Sequence, residues 1–242
     1  MAQAAFNLRE AQRDHSLILL NPAEFAELSE QGTLPLPLRH REHFGRVLRR
    51  NAAWQSLVSD GSGALAEAIV AGETVELKSR LPQIRQSAPQ VGLVQAWVKQ
   101  KALALILQKA AEIGVAEIRL VDSEYSQPHS EKAARIDAIL ENACMQAYNP
   151  IKPKVVQAQS LREMALSPET AFFGDLESGI SLASVRRPSG TSAWFINGPE
   201  GGFSPAETAF LRGCATGVLL SENVLRSESA AIIALGFLRL PA

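Results

Sequence analysis

The most constraining feature of the sequence lies near its carboxyl end, where two apolar runs each enter a loop of small residues. Residues 193–196 run into the loop NGPEGG at residues 197–202. Residues 217–220 run into a serine-containing loop at residues 221–227. Each pattern predicts a strand, a loop and then a helix. Because glycine permits positive φ and lets a ligand approach the backbone closely, the first loop is predicted to cradle a small molecule.

The residues after the first loop predict where the next helix begins. Ser204 supplies an N-cap hydroxyl, Pro205 suits the first helical position, and Glu207 stands at the third position of a capping box. The alternative interpretation is an ordinary strand-to-helix connection, in which the glycines serve only the turn. A second loop of similar character so close along the chain favours a ligand site.

The composition bounds the class of protein. A chain of 242 residues with 46% hydrophobic residues and no low-complexity block is expected to fold throughout, as two domains. A formal charge of −1 excludes indiscriminate coating of nucleic acid, which needs many cationic contacts to phosphates. A local basic patch remains. Residues 39–50 hold one acid, Glu42, and five arginines: Arg39, Arg41, Arg46, Arg49 and Arg50.

Cysteine and histidine usage predicts neither a disulfide framework nor a metal site. Cys144 and Cys214 are too few for a scaffold, and the four histidines lack metal-ligand spacing. Charged residues between Arg9 and Asp14 interrupt the apolar core that a signal peptide would need, and no apolar run is long enough to span a membrane. A cytoplasmic protein is expected.

The first third of the chain predicts a small β-rich domain. Residues 16–20 form a strand, residues 22–37 a loop and residues 42–49 a short helix, and a hairpin follows. Its strands lie at residues 54–58, 64–70 and 74–77. Residues 61–63 (GSG) resemble the start of a dinucleotide-binding motif, but strand-like alternation follows them, so they are interpreted as the hairpin turn. Residues 86–89 are the predicted linker.

Beyond the linker, strands alternate with helices, which predicts a mostly parallel sheet covered on both faces. Helices are expected at residues 99–113 and 131–148. Strands are expected at residues 91–97, 116–121, 154–156, 171–173, 193–196 and 217–220. Ligands of such sheets bind at the carboxyl ends of the strands, where both loops lie.

Arg226 is the most informative single side chain. It follows the apolar pair Val224 and Leu225 and precedes a predicted helix start, so its guanidinium is expected beside whatever the loops hold. The alternative is that Arg226 stabilises the loops by pairing with Glu228 or Glu200.

The two loops, in this order and spacing, resemble the RsmE family of ribosomal RNA uridine-N3 methyltransferases. The matching segments read GPEGG at residues 198–202 and LSENVLRSESA at residues 220–230. Further similarity lies at residues 43–49, in the turn at residues 60–63 and along residues 101–115. The resemblance therefore covers nearly the whole chain.

The resemblance implies a fold and a function. The fold is α/β, with a SPOUT-type domain at residues 90–242 whose mostly parallel sheet ends in a carboxyl-terminal trefoil knot. A PUA-like β-barrel that binds RNA is implied at residues 1–85. The implied activity is methylation of N3 of a specific uridine in 16S ribosomal RNA, with S-adenosyl-L-methionine as cofactor, by a homodimer whose partner is that RNA or the small ribosomal subunit.

The resemblance implies the cofactor-binding residues, while the chemistry of N3 methylation and the charge of the basic patch predict the catalytic and RNA-binding residues. Arg226 would stabilise the deprotonated uracil, and Glu228 or a water would accept its proton. The RNA-binding residues are Arg39, Arg41, Arg46, Arg49, Arg50 and Lys101. The cofactor-binding residues are Asn197, Gly198, Pro199, Glu200, Gly201, Gly202, Leu219, Leu220, Ser221, Asn223, Val224, Leu225, Arg226 and Ser227.

Departures from the family pattern lie outside both loops. Residues 145–149 read MQAYN where the family often has EQSGR, and Lys99 and Gln100 stand where a glycine precedes Lys101. Two other functions stay open. One is another SPOUT methyltransferase that acts on transfer RNA or a 2′-hydroxyl, and the other is a catalytically inactive RNA-binding scaffold.

Overall fold

The structure is a computed structural model that describes residues 15–42, 53–86, 90–129, 131–157, 160–164, 166–185 and 190–240. The chain divides into two compact units. The first contains residues 1–86 and 144–152, and the second contains residues 87–143 and 153–242. Residues 144–152, which the sequence pattern assigned to the second domain, belong to the first. Tyr148 Oη donates a hydrogen bond to His15 O (2.9 Å), and Ser59 Oγ donates one to Pro150 O (2.8 Å).

The described part of the first unit contains a five-stranded sheet in the order β1-β3-β4-β5-β2. Strands β1 and β3 are parallel, and the remaining pairs are antiparallel. The predicted hairpin turn joins β3 to β4, with Asp60 Oδ1 accepting from the backbone N of Ser62 (2.7 Å) and Ala64 (3.0 Å). The strands are β1 (Ser16–Leu19), β2 (Thr33–Pro35), β3 (Trp54–Ser59), β4 (Leu65–Ala71) and β5 (Thr74–Leu81).

The prediction of a loop over residues 22–37 is wrong. Helix α1 (Pro22–Gln31) begins at an Asn21 N-cap, and Asn21 and Glu24 form a reciprocal capping box. Strand β2 and helix α2 (Leu38–Glu42) complete the segment. Asn21 and Pro22 are as strong a helix-start signal as Ser204 and Pro205, and this signal was missed. The helix predicted at residues 42–49 lies outside the described residues after Glu42.

In the described part of the second unit, six strands form one sheet in the order β11-β9-β10-β6-β7-β8, and all five neighbouring pairs are parallel. The predicted mixed α/β architecture with a mostly parallel sheet is confirmed. The strands are β6 (Val91–Ala96), β7 (Glu117–Val121), β8 (Lys154–Gln157), β9 (Ala171–Gly174), β10 (Ala193–Asn197) and β11 (Thr216–Val218). The helices are α3 (Gln100–Ile113), α4 (Ala133–Gln146), α5 (Pro205–Cys214) and α6 (Ser227–Arg239).

Successive side chains of the central strands point to opposite faces of the sheet, so each face buries side chains beneath helices. Val94, Ala96 and Ile196 point to one face, where they share a core with Leu211 and Phe210 of α5. The opposite face is covered by α6, which packs on β6, β10 and α3. Among the described helices, none combines the length and the apolar character needed to cross a bilayer.

Gly92 is required by the packing of this sheet. A Cβ at Gly92 would lie 2.5 Å from ring atoms of Trp194 on the neighbouring strand, closer than real Cβ contacts allow. We expect Gly92→Ala to lower the free energy of unfolding by about 1–3 kcal/mol, because a rigid indole cannot yield cheaply. Gly213→Ala is the matched control, since Gly213 lies in α5 with open space around it. Chemical denaturation of both variants tests this, and equal stabilities would contradict it.

Candidate active site

The two loops line one cavity at the carboxyl ends of β9, β10 and β11. In the structure the strand and helix bounds shift both loops from their predicted ranges, so that the first loop is residues 198–203, after β10, and the second is residues 219–226, between β11 and α6. The cavity has a volume of about 800 Å³. A cleft of this size lies within the usual range for small-molecule sites, at the edge where α/β sheets bind ligands.

All the residues that the resemblance assigns to cofactor binding, Arg226 among them, line this cavity, together with Glu228 and Lys101. The sequence pattern missed a further wall formed by Gly174, Asp175 and Leu176, at the end of β9. It also missed Lys99 and Phe203. For Lys99 and the wall after β9, the only available signal is their position next to a predicted strand end, whereas Phe203 directly follows the GPEGG motif.

A buried polar cluster fixes the base of the cavity. Asn197 is only 4% exposed, and its Nδ2 donates to Gln95 Oε1 (2.8 Å) and Ser227 Oγ (2.8 Å). Ser227 Oγ in turn donates to Gly198 O (2.7 Å). The cluster therefore joins β6, the start of the first loop and the first residue of α6.

The first loop is held by a contact to Lys99, by a bond within it and by the helix that follows it. Glu200 Oε1 accepts from Lys99 N (2.9 Å), and Gly202, at φ +74°, donates from its backbone N to Pro199 O (3.0 Å). The predicted capping box at the start of α5 is confirmed, with Ser204 and Glu207 bonded reciprocally. Glu207 also accepts from the backbone N of Glu124 through Oε1 (2.9 Å).

The second loop is held by backbone hydrogen bonds to the segment that follows β9. Leu219 N donates to Ile180 O (2.7 Å), and Leu182 N donates to Leu219 O (3.0 Å). These bonds divert the chain after Val218, so the strand predicted to reach Leu220 ends earlier. Leu219 instead continues as an isolated bridge with Ser181.

An ion-pair network supports the wall after β9. Arg212 Nε donates to Asp175 Oδ2 (3.0 Å), and Arg212 Nη2 donates to Glu177 Oε2 (2.8 Å). The carboxylates of Glu177 and Asp175 raise the pKa of Arg212 above its usual value. A Cβ at Gly217 would lie 2.9 Å from Asp175 Oδ2, so the backbone of β11 approaches this carboxylate closely.

Arg226 occupies the N-cap position of α6, as expected at a helix start. Its side chain is 86% exposed, and its Nη1 lies 4.0 Å from Glu228 Oε1, at the limit of an ion pair. Glu228 is more enclosed, with 20% of its side chain exposed. The alternative pairing with Glu228 is thus a long contact, and the guanidinium remains accessible to another anion.

The described arginines of the basic patch are both engaged with acids. Arg39 donates to Glu24 Oε1 (2.7 Å), and Arg41 pairs with Glu73 while donating to Leu36 O (2.8 Å). Burial disfavours ionisation of Glu24, but hydrogen bonds from Arg39 and from the backbone N of Asn21 outweigh it, so the pKa of Glu24 is lowered. Arg46, Arg49 and Arg50 lie outside the described residues. Among those described, no three side chains of His, Cys, Asp or Glu converge to hold a metal ion.

Removal of the Asn197 amide tests the cluster at the base of the cavity. We expect Asn197→Ala to lower the free energy of unfolding by about 1–3 kcal/mol, because Ser227 and Gln95 lose a buried donor. Asn223→Ala in the exposed part of the second loop is the control, with an expected change below about 0.5 kcal/mol. Thermal and denaturant unfolding of both variants measure the difference. An Asn197→Ala variant as stable as the control would contradict the structural role of the cluster.

Comparison with known proteins places the chain in a family. The model of the RNA methyltransferase domain matches residues 85–239. The ribosomal RNA small subunit methyltransferase E of Mycobacterium tuberculosis is 28% identical over 216 residues, which cover 80% of this chain and 81% of that protein. The same enzyme of Rickettsia conorii is 24% identical over 227 residues, which cover 89% of this chain and 93% of that protein.

Solved structures give the same result. A ribosomal RNA small subunit methyltransferase E from Neisseria gonorrhoeae, bound to S-adenosyl methionine, is 26% identical with a TM-score of 0.74, covering 91% of this chain and 95% of that one. A methyltransferase structure from Legionella pneumophila, in complex with the same cofactor, is 26% identical with a TM-score of 0.77. The match covers 93% of this chain and 96% of that one. The chain therefore belongs to the RNA methyltransferase domain family, and its predicted relationship to the RsmE methyltransferases is confirmed.

Proposed function

We propose that this protein transfers the methyl group of S-adenosyl-L-methionine to N3 of a specific uridine in 16S ribosomal RNA. The observation that carries the proposal is the cavity of about 800 Å³ in which both loops meet. The related proteins act on small-subunit ribosomal RNA by name, and two solved relatives bind this cofactor.

The residues of the cavity fit the cofactor. The first loop offers backbone with little side-chain bulk, and a Cβ at Gly198 would lie 3.2 Å from the ring of Phe203, so the Phe203 ring packs directly on the Gly198 backbone. The loop backbone at residues 198–202 and 219–225 would hold the cofactor. When bound, S-adenosyl-L-methionine supplies an electrophilic methyl group on its sulfonium.

Uracil N3 lies on the base-pairing edge, so the target base must be unpaired or turned out of its stack. N3 carries a proton in the neutral base, and its loss leaves negative charge shared with the flanking carbonyl oxygens. Arg226, highly exposed at the cavity rim, stabilises that charge. Glu228 or a water accepts the proton.

RNA contacts come from both units in this proposal. Lys101 lines the cavity, and in the described part of the chain its ammonium has no carboxylate partner. Arg39, Arg41, Arg46, Arg49 and Arg50 contact phosphates, which positions RNA without specifying its sequence. For Arg39 and Arg41 this requires an exchange of partner from Glu24 and Glu73.

Three architectural features belong to the same proposal. The first unit acts as a PUA-like RNA-binding barrel. The second carries a trefoil knot, which is supported by the position of β11 at the sheet edge while α6 returns to pack on the central strands β10 and β6. Two copies pair through α3 and α6, where Leu105 and Ile233 are 37% and 44% exposed. A cytoplasmic location remains a prediction.

Nucleoside analysis tests the reaction. Ribosomal RNA or small subunits incubated with the protein and methyl-labelled cofactor should yield labelled 3-methyluridine on reverse-phase chromatography. A labelled 2′-O-methyl nucleoside, or label confined to transfer RNA, would assign the chain to another methyltransferase. Cofactor binding without any labelled product would leave an RNA-binding scaffold.

The role of Arg226 has its own test. We expect Arg226→Ala to lower the rate of methyl transfer by about 100- to 1,000-fold, because one electrostatic stabiliser of the deprotonated base is lost. Cofactor affinity measured by calorimetry should stay within about twofold, since the side chain is largely exposed. Arg226→Lys, which keeps the charge, should retain part of the activity. Loss of both activity and cofactor binding in Arg226→Ala would make the arginine a structural residue.

A further inference from the structure

An exposed tyrosine lies on the segment between β7 and α4. Tyr125 has 45% of its surface exposed. Among the described residues its hydroxyl has no hydrogen-bond partner and its ring has no aromatic or cationic partner. A large ring left open on the surface, with a polar end that needs no protein partner, is suited to stack on a planar ligand.

Tyr125 stands immediately behind the first loop. A Cβ at Gly201 would lie 3.2 Å from Tyr125 Cβ and 3.6 Å from its Cγ, so the two residues are in close contact. Gly201 itself lines the cavity. Tyr125 therefore packs against the loop that lines the cavity, on the segment next to its rim.

The backbone around Tyr125 is fixed before any ligand arrives. Glu124 N donates to Glu207 Oε1 (2.9 Å), and Gln127 N donates to Trp97 O (3.0 Å). Ser123 and Ser126 exchange two further bonds, from Ser126 N to Ser123 O (3.0 Å) and from Ser123 N to Ser126 Oγ (3.0 Å). A ring on such a rigid turn loses little conformational entropy when a ligand stacks on it.

Exposed cations share this part of the rim. Lys99 and Lys101 both line the cavity, and neither ammonium has a carboxylate partner in the described segments. Lys99 is tied to the first loop through its backbone N and Glu200, the neighbour of Gly201. An aromatic face beside unpaired cations is the combination that binds single-stranded nucleic acid, the ring stacking on a base and the cations meeting phosphates.

We propose that Tyr125 is a stacking platform for an unpaired nucleobase next to the target uridine, with Lys99 and Lys101 holding the adjoining phosphates. The inference rests on the proposed function, because the cavity lined by Gly201 is assigned there to the methyl donor and the target uridine must approach its rim. Tyr125 is a positioning residue, since it touches the RNA but not the reacting atoms. It would orient the strand so that the flipped base enters the cavity.

The test compares Tyr125→Ala with Tyr125→Phe in the full-length protein. The probes are a fluorescent single-stranded oligouridylate, for direct binding, and ribosomal RNA with labelled cofactor, for methylation. Tyr125→Ala should weaken oligouridylate binding and raise the KM for RNA by about 5- to 150-fold, the range for losing one base-aromatic stack. Cofactor affinity and the rate at saturating RNA should change by less than about threefold. Tyr125→Phe, which keeps the ring, should match the unmodified protein within about twofold.

The outcomes separate this inference from the proposed reaction. Unchanged oligouridylate binding and KM in Tyr125→Ala would overturn the platform, whether or not 3-methyluridine is formed. A Tyr125→Phe variant as impaired as Tyr125→Ala would also overturn it, because the hydroxyl would then matter and not the ring. If Tyr125→Ala changes the molecular mass of the protein in solution, as measured by light scattering, the tyrosine belongs to an interface between copies. Weaker RNA binding by Tyr125→Ala alongside an unmodified protein that forms no 3-methyluridine would retain the platform and reject the reaction.

Discussion

The buried hydrogen bonds of Asn197 are the constraint on which the rest of the site depends. They join residues that are remote along the chain, Gln95 on one central strand and Ser227 at the start of the last helix. Both loops begin or end at this cluster, so their separation is fixed before any ligand binds. An amide in this position loses its contact with water and needs every partner it has, which makes the arrangement specific as well as stabilising.

Backbone and charged side chains form different parts of the cavity lining. The loops present mainly backbone and small residues inward, which suits a cofactor held by shape and main-chain hydrogen bonds. Among the charged groups of the lining, Arg226 is largely exposed, Glu228 is more enclosed, and the Asp175 side chain is largely enclosed in the wall. Arg226 is therefore accessible to a polyanion that approaches from solvent.

Local signals in the sequence were sufficient for the parallel sheet, the Ser204 helix start and the two loops, because each depends on neighbouring residues. The roles of the individual site residues stay predictions. What escaped prediction depends on long-range contacts. Residues 144–152 belong to the first unit, where Tyr148 donates a hydrogen bond to the backbone of His15. No local sequence pattern encodes that partner. Asp175 likewise joins the cavity wall through Arg212, 37 positions away. Helix α1 is a different case, since its capping signal at Asn21 was present and was missed.

The Glu207 carboxylate connects two segments that are far apart along the chain. Its two carboxylate oxygens serve different segments, Oε2 binding the backbone of Ser204 at the end of the first loop and Oε1 binding the backbone of Glu124 beside Tyr125. The end of the first loop and the turn that carries Tyr125 are thereby tethered to a single carboxylate. Neither segment can move away from Glu207 without breaking one of these hydrogen bonds, so the two segments hold a fixed relative position.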